Sequence, residues 1–572
     1  MIDIPTTEEL VAFAEQGTFV SKMARRFGLR NPAQIKQITL QCADLHNRGT
    51  VDLFEIVESS SFQNLSDSDF FTAMHLLCDI LRELEATPAQ VMKCTEALVA
   101  RGGNDLMANE PNRALRDWCG RKPERASEII AMARGGDSLS SRNLTFALEA
   151  TSALNTAREI ALAYDDTRRL SAITALGRIP DNDPPSRAKT IAVLKTLLDT
   201  GGDDTLRAHI LHVVGSALVS KVEDYQTDAV ALVGKLVEGA GDATIHQAAN
   251  ILSSYGDVLQ PEVLAYLLKA LLQVNTENKG TVLQLDVGLQ ILLEAGHDEA
   301  AISYVTQLFS KNEKFQLKEL PSFRSSLFAG PPERLSRVIV QWLLRGTPGL
   351  RGGLAAAMQS AKLEGAPVEL FPQDLSLSKT EQIFICRKAI GWLFFKPITA
   401  ASILVSVLRV CDDETAQTLQ NLMNETLLLN YGGVQKYLLS LQPDDTAKDR
   451  VDQCLANHDI YLSALQSVPQ LKELEPSEHQ RRIEQLRVMD EMRDAHKQAR
   501  RQSVFLSVIR RSVLLYGDHS ISFIKDGNDT LRPMEMDLKP HGISFEVPGM
   551  EIVDPVGLQY TLRIFRAERM LS

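Results

Sequence analysis

The chain has 572 residues, 44% hydrophobic and 23% charged, a length beyond one hydrophobic core and a composition that excludes wholesale disorder, collagen-like and coiled-coil-only architectures. Aromatic residues make up only 6%, and an apolar complement rich in Leu, Ala, Val and Ile suits packed helices better than large sandwiches or barrels. Sixty-one Lys and Arg against seventy-three Asp and Glu leave a net charge of -12, which opposes whole-surface attraction to nucleic acid or anionic membrane and leaves only local contacts.

The opening MIDIPTTEELVAFAEQ is acidic and lacks a basic region ahead of an apolar core, so no secretory signal is read there. Residues 17–48 reverse the mean charge: Lys22, Arg25, Arg26, Arg30, Lys36 and Arg48 stand against Asp44 alone, a local +5. Two short helices are expected, Phe19 to Phe27 and Pro32 to Asn47, with Asn31 placed to cap and Pro32 suited to a first helical turn. The layout is compatible with a helix-turn-helix holding phosphates, with a protein-docking head, and with a plain capping unit of a larger helical array. Residues 65–135 read as further helices, among them Ser66 to Leu84 and Pro88 to Ala100.

Between residues 160 and 300 the helical pattern repeats. Helix starts fall at Asp166, Asp204, Asp242 and Gly280, each 38 residues apart, and the first three are expected to cap their own first turns. Ile173, Leu211, Ala249 and Val287 then share one buried register. The preceding helices repeat as well, with Ile191, Ala229 and Leu267, then Leu194, Leu232 and Ala270, then Leu198, Leu236 and Val274 on one face. A two-helix unit of this length, without tetratricopeptide Trp and Tyr positions or a Thr-Pro-Leu-His run, resembles the HEAT and armadillo class of α-solenoid repeats. The resemblance rests on period and pattern over residues 140–310. It implies a curved stack of helix pairs whose inner surface holds a protein partner. Residues 161–300 carry 19 acidic and 11 basic side chains, a net of -8, so a basic or mixed protein surface is the expected partner.

Downstream, Pro332 to Arg345, Lys379 to Phe395, Thr399 to Arg409 and Asp413 to Leu429 continue the helices at irregular spacing, with flexible loops expected at 329–332 and 347–372. The most apolar stretch, Gly391 to Cys411, is broken by Lys396 and Pro397 and is too short for a membrane span. Residues 478–501 form a polar helix with a narrow stripe of Ile483, Leu486, Met489 and Met492, read as a solvated connector packing on one edge. Residues 481–511 hold nine basic and four acidic side chains, again +5, so Arg493, Lys497, Arg500 and Arg501 join the head residues as candidate contacts for a protein or nucleic acid.

From about Gln502 the pattern alternates with period two: Val504, Leu506 and Val508; Ile543, Phe545 and Val547; Leu558, Tyr560, Leu562 and Ile564. This predicts strands, with a hairpin turn at Lys525 to Asp529. The expected organisation is thus a mainly α protein: a basic helical head over 1–60, an α-solenoid over 61–310, an irregular continuation over 311–475, a charged connecting helix over 476–501 and a small β-rich domain over 502–572.

Chemistry is sparse. Asp529, Asp537 and Lys539 match the sparse acid…acid-x-Lys pattern of metal-dependent nucleases, a pattern that recurs by chance, and exposed turn or edge-strand charges are the preferred reading. His209 and His212, with His246 one unit on, read as repeat-surface histidines rather than zinc ligands. Seven cysteines, Cys42, Cys78, Cys94, Cys119, Cys386, Cys411 and Cys454, lack a close C-x-x-C pair, which argues against a disulfide framework and fits a reducing, cytoplasmic setting. No phosphate loop, nucleophile elbow or dinucleotide fingerprint appears, and no cofactor or resident metal is expected. The function expected is a non-enzymatic scaffold that binds a protein partner. A nucleic-acid-binding subunit using 17–48 and 481–511 is the alternative, and a metal nuclease in the C-terminal domain the lesser one.

Overall fold

The computed structural model describes residues 4–103, 109–219, 226–312, 315–358, 365–469, 475–502, 509–514, 519–525, 531–537 and 553–570. It falls into two compact units, Met1–Leu335 and Ser336–Ser572.

The first unit opens with α1 (Thr7–Glu15), α2 (Phe19–Ala24), α3 (Pro32–Asn47), α4 (Leu53–Glu58) and α5 (Ser60–Gln63). It continues with α6 (Asp67–Leu81), α7 (Pro88–Gly102), α8 (Asn109–Arg121), α9 (Pro123–Arg134), α10 (Ser138–Ala150), α11 (Leu154–Ala163) and α12 (Thr167–Arg178). Next come α13 (Pro184–Asp199), α14 (Asp204–Leu218), α15 (Gln226–Val237), α16 (Asp242–Tyr255), α17 (Pro261–Leu271), α18 (Lys279–Glu294), α19 (Asp298–Lys311) and α20 (Pro321–Ala329). From α6 to α20 each even-numbered helix packs on the next even-numbered one, so they form one continuous layer; the odd helices α11, α13, α15 and α17 run beside it. This is an α-solenoid of helix pairs. Leu10, Phe19, Phe27 and Ile38 are buried in the same core as Phe70, Leu98, Trp118 and Ile129, so the expected boundary near residue 60 falls inside a single hydrophobic core.

The repeat is present, with a slip. N-caps stand at Asp166, Asp203, Gly241 and Asn278, so the interval alternates between 37 and 38. Ile173, Leu211 and Ala249 are fully buried, but in the fourth unit the slip leaves Val287 half-buried and sets Asp286 in the core. The outer registers hold, apart from a half-buried Leu198. Small residues let neighbouring even helices approach: a Cβ added at Gly215 of α14 would lie 2.5 Å from Ile251 Cδ1 of α16.

Capping departs from expectation more than period does. Asp166 accepts from its own Arg168 N–H at 2.9 Å, but α14 is capped by Asp203, which accepts from Leu206 N–H at 2.9 Å. Asp204 reaches across to the next repeat. Its carboxylate accepts from the backbone N–H groups of Gly241 at 2.8 Å and Ala243 at 2.7 Å and from the Thr244 hydroxyl at 2.7 Å, covering the start of α16. Asp286 repeats the device, accepting from Ser322 and Phe323 N–H groups at 2.9 Å each at the start of α20. Asp242, expected to be a cap, lies inside the first turn of α16.

In the second unit, α21 (Pro332–Arg345) runs through the boundary and is followed by α22 (Pro348–Ala357), α23 (Lys379–Leu393), α24 (Pro397–Leu408), α25 (Asp413–Leu422), α26 (Gly432–Leu439) and α27 (Lys448–Gln466). A π-helical turn, Met423–Leu428, extends α25. The apolar stretch at 391–411 is the end of α23 plus α24, whose residues are buried on nearly all sides, and no helix among the described residues is long and apolar enough to cross a membrane. The expected loop at 347–372 is also corrected. Its first part is α22, and from Gly365 the chain runs extended along α24, with Val368 N–H donating to Ser402 Oγ at 2.9 Å and Leu370 N–H to Ser406 Oγ at 3.1 Å.

Among the described residues, the expected C-terminal β-rich domain reduces to one small sheet and a helix. β1 (Ile509–Leu514), β2 (His519–Lys525) and β3 (Leu531–Asp537) make one antiparallel three-stranded sheet, and the predicted Asp-Gly turn and the Val504 and Ile543 segments lie outside the described residues. Residues 558–564, read as a strand, lie in α29 (Pro555–Ala567), which follows α28 (Glu478–Gln502). Leu558, Leu562 and Phe565, spaced four and three apart, are its buried face, and the helical spacing wins because that face packs on α23. Lys388, fully buried, donates to the carbonyls of Phe565 at 2.6 Å, Arg566 at 2.9 Å and Glu568 at 2.5 Å. It thereby satisfies the free carbonyls at the C-terminal end of α29 and complements its dipole. Arg387 pairs with Glu568 at 2.9 Å, and Gly391 leaves the room, since a Cβ there would lie 3.1 Å from Phe565 Cβ.

Two outcomes follow from these contacts. Asp204→Ala should lower the unfolding free energy by about 2 kcal/mol in urea titrations, as loss of a charged helix cap does. Burial works to raise the Asp204 pKa, yet the Thr244 hydroxyl and the three backbone N–H groups outweigh it and hold the group below its ordinary value. The wild-type advantage is therefore full above about pH 4 and fades as pH falls through the lowered folded value. Lys388→Met leaves buried carbonyls without a donor and should cost about 3 kcal/mol, read as faster hydrogen exchange across Pro555–Ala567; unchanged exchange there would contradict the assignment.

Candidate functional site

The even-numbered layer is stitched by side chains that recur at the repeat interval. Thr174 Oγ1 of α12 lies 2.9 Å from His209 Nδ1 of α14, and Gln247 Nε2 of α16 lies 3.2 Å from His212 Nδ1 of α14. His246 Nδ1 of α16 is 3.0 Å from Thr281 Oγ1 of α18, and Ser253 Oγ donates to Gln284 Oε1 at 2.5 Å. Three of these bonds join residues 35 apart. The result is a row of hydroxyl, imidazole and amide groups, with His246 exposed and Thr174, His209, His212, Gln247 and Gln284 half-buried. The zinc arrangement is not formed: the three histidines bond to Thr and Gln, and no cluster of three metal-ligating side chains occurs among the described residues.

Four of the 19 acidic side chains of residues 161–300, Asp166, Asp183, Asp203 and Asp204, accept backbone N–H groups at helix starts. Burial lowers the pKa of His209, against the raising effect of Asp203, and lowers that of His212, where Arg178 and His209 act in the same direction.

The basic candidates separate into two groups. On the first unit, Lys22, Arg25, Arg26, Arg30 and Lys36 are all exposed. Lys22 Nζ sits 5.0 Å above the Phe13 ring, while Arg26, Arg30 and Lys36 converge on one cleft beside α6. On the second, every described side chain of α28 is exposed, including the stripe of Ile483 and Met489, 53% and 58% exposed, so the expected edge packing is absent among the described residues. Arg493 pairs with Asp490 and Lys497 with Asp494, both at 3.1 Å on the same helix. Arg501 is exposed and the Arg500 side chain lies outside the described residues. Asp529 and Lys539 also lie outside them; Asp537 ends β3, its side chain undescribed. All seven cysteines are free and buried.

Sequence reasoning noticed the histidines but missed their partners, because Thr174, Gln247 and Thr281 are ordinary helix-surface residues until neighbouring repeats are stacked. The 35-residue spacing was the available signal.

No family model and no curated protein matches the chain. Among solved structures it aligns with a chain of a "Kap95:Nup1 complex" over 80% of this chain and 74% of that one, at 10% identity and a TM-score of 0.26. A likeness of that size carries no argument about function, and the architecture rests on the helices themselves.

Because His209 and His212 bind protons less readily in the folded protein than in the unfolded chain, stability should be full above the unfolded histidine pKa of about 6.5 and decline as pH drops below it. Urea midpoints measured from about pH 7.5 to about pH 5 should show a smaller decline in His209→Gln/His212→Gln, which keeps polar groups at both positions but cannot charge.

Proposed function

We propose that the chain is a non-enzymatic scaffold that holds a protein partner along the even-numbered layer of its solenoid. The observation that carries this reading is the row of Thr174, His209, His212, His246, Gln247 and Gln284 across four successive even helices. Amides, imidazoles and hydroxyls both donate and accept, which matches the alternating N–H and C=O groups of a polypeptide, and neutral groups enter an interface without the desolvation cost of bare charges. The partner expected from this face is one recognised through backbone and polar side chains, rather than one selected for basic charge.

Photo-crosslinking from within the native cell tests it. A benzophenone side chain at 250 or 254, on α16 beside the row, should give discrete protein adducts, whereas one at 195, on the odd-numbered helix α13, should not. Adducts of equal yield at 195, or nucleic acid in place of protein, would overturn the reading.

A further inference from the structure

A second site lies in the first unit, away from the polar row. The chain between α2 and α3 turns through three left-handed residues, Arg26 at φ 49°, Phe27 at φ 54° and Gly28 at φ 81°. Two of these are not glycine, a conformation that persists only where packing over-determines it. Phe27 supplies that packing: it is buried, stacked 6.5 Å from Phe13 and edge-on to Phe19 at 5.5 Å. The turn holds Arg26 at the rim of a cleft of about 610 Å³, with Arg30 and Lys36 on the same rim and Pro32, Ile35 and Leu76 among its lining.

The charges of the cleft do not balance. Its acids are already engaged, Asp79 with Arg82 and Glu83 with Arg121, and Arg82 is further shared with Glu110 at 2.7 Å and Asp117 at 3.1 Å. The side chains of Arg26, Arg30 and Lys36 have no ion-pair or hydrogen-bond partner among the described residues. Three exposed cations therefore face one concavity, with half-buried His75 also in its lining.

We infer that this cleft binds an acidic segment of a partner protein, with carboxylate or phosphate groups on Arg26, Arg30 and Lys36 and an apolar side chain against Pro32, Ile35 and Leu76. The volume is in the range of sites that enclose a small ligand or a few residues, far more than a lone inorganic anion fills, and the apolar part of the lining asks for a ligand that is not charged throughout. Single-stranded nucleic acid is the weaker fit, since the lining offers His75 and arginines but no Phe, Tyr or Trp, the usual platforms for successive stacked bases. Guanidinium groups fixed at a preset rim suit carboxylate and phosphate oxygens in paired geometry.

The test is fluorescence anisotropy of the full chain with a labelled peptide of alternating Glu and Leu, its Gln and Leu counterpart, a phosphoserine and Leu version, and a single-stranded RNA of the same charge. The Glu or phosphoserine peptide should bind and the Gln peptide should not, and which of the two is tighter identifies the anionic group. Arg26→Glu/Arg30→Glu/Lys36→Glu should weaken binding by at least about 10-fold, as loss of roughly 1.4 kcal/mol requires, whereas Arg48→Glu, exposed at the C-cap of α3 and outside the cleft, should stay within about 2-fold, the spread of a surface charge with a local partner. If the triple variant melts at lower temperature, Lys36→Glu alone, at an exposed helical position, carries the comparison. Absence of binding by both anionic peptides, equal affinity in the cleft variants, or tighter binding of the RNA would each overturn the inference.

Discussion

A solenoid of short helices has one recurring physical problem, and much of this chain answers it. Every helix begins with N–H groups that have no partner within the helix, and stacking the helices brings some of those starts, as at α16 and α20, against neighbouring repeats. Here aspartate carboxyl groups fill the need locally, as at Asp166, Asp183 and Asp203, or from the preceding repeat, as Asp204 does for α16 and Asp286 for α20. Five of the 19 acidic side chains of residues 161–300 serve these starts. Their meaning is structural before it is a statement about partners.

The same constraint explains what could be read from the amino-acid sequence. Period and face were visible because Leu, Ile and Ala at 38-residue spacing are dictated by burial alone. The identity of each cap was not, because neighbouring aspartates such as Asp203 and Asp204 look alike until the next repeat is in place. The misplaced Val287 has the same origin: one residue fewer before α18 turns Asp286 inward, and a strict count of 38 cannot register that change. At the C-terminal end, Leu558, Tyr560, Leu562 and Ile564 fit period two while Leu558, Leu562 and Phe565 fit a helix, and the choice rests on Lys388 and Gly391 more than 160 residues earlier.

For the candidate sites the division is similar. Charge surplus at 17–48 was plain in the composition, and the structure separates Arg26, Arg30 and Lys36, which share a cleft, from Lys22 and Arg25, which do not line it. In 481–511, Arg493 and Lys497 each pair with an acid three residues away on α28, acids that the net of +5 already includes, so the surplus persists while these two candidates are engaged. Polar bonds between repeats, the basis of the functional reading, depend on which surfaces are stacked and so on tertiary structure alone.

The docking of α29 on α23 has a consequence for biosynthesis. The bonds that join them span 175 to 181 residues, so at translation rates of about 5–20 residues per second the surface of α23 is complete for roughly 10–35 seconds before its covering helix exists. During that interval a lysine destined for burial stands hydrated beside a bare glycine groove. The second unit thus reaches its final packing late, on a schedule set by the ribosome rather than by the intrinsic speed of helix formation.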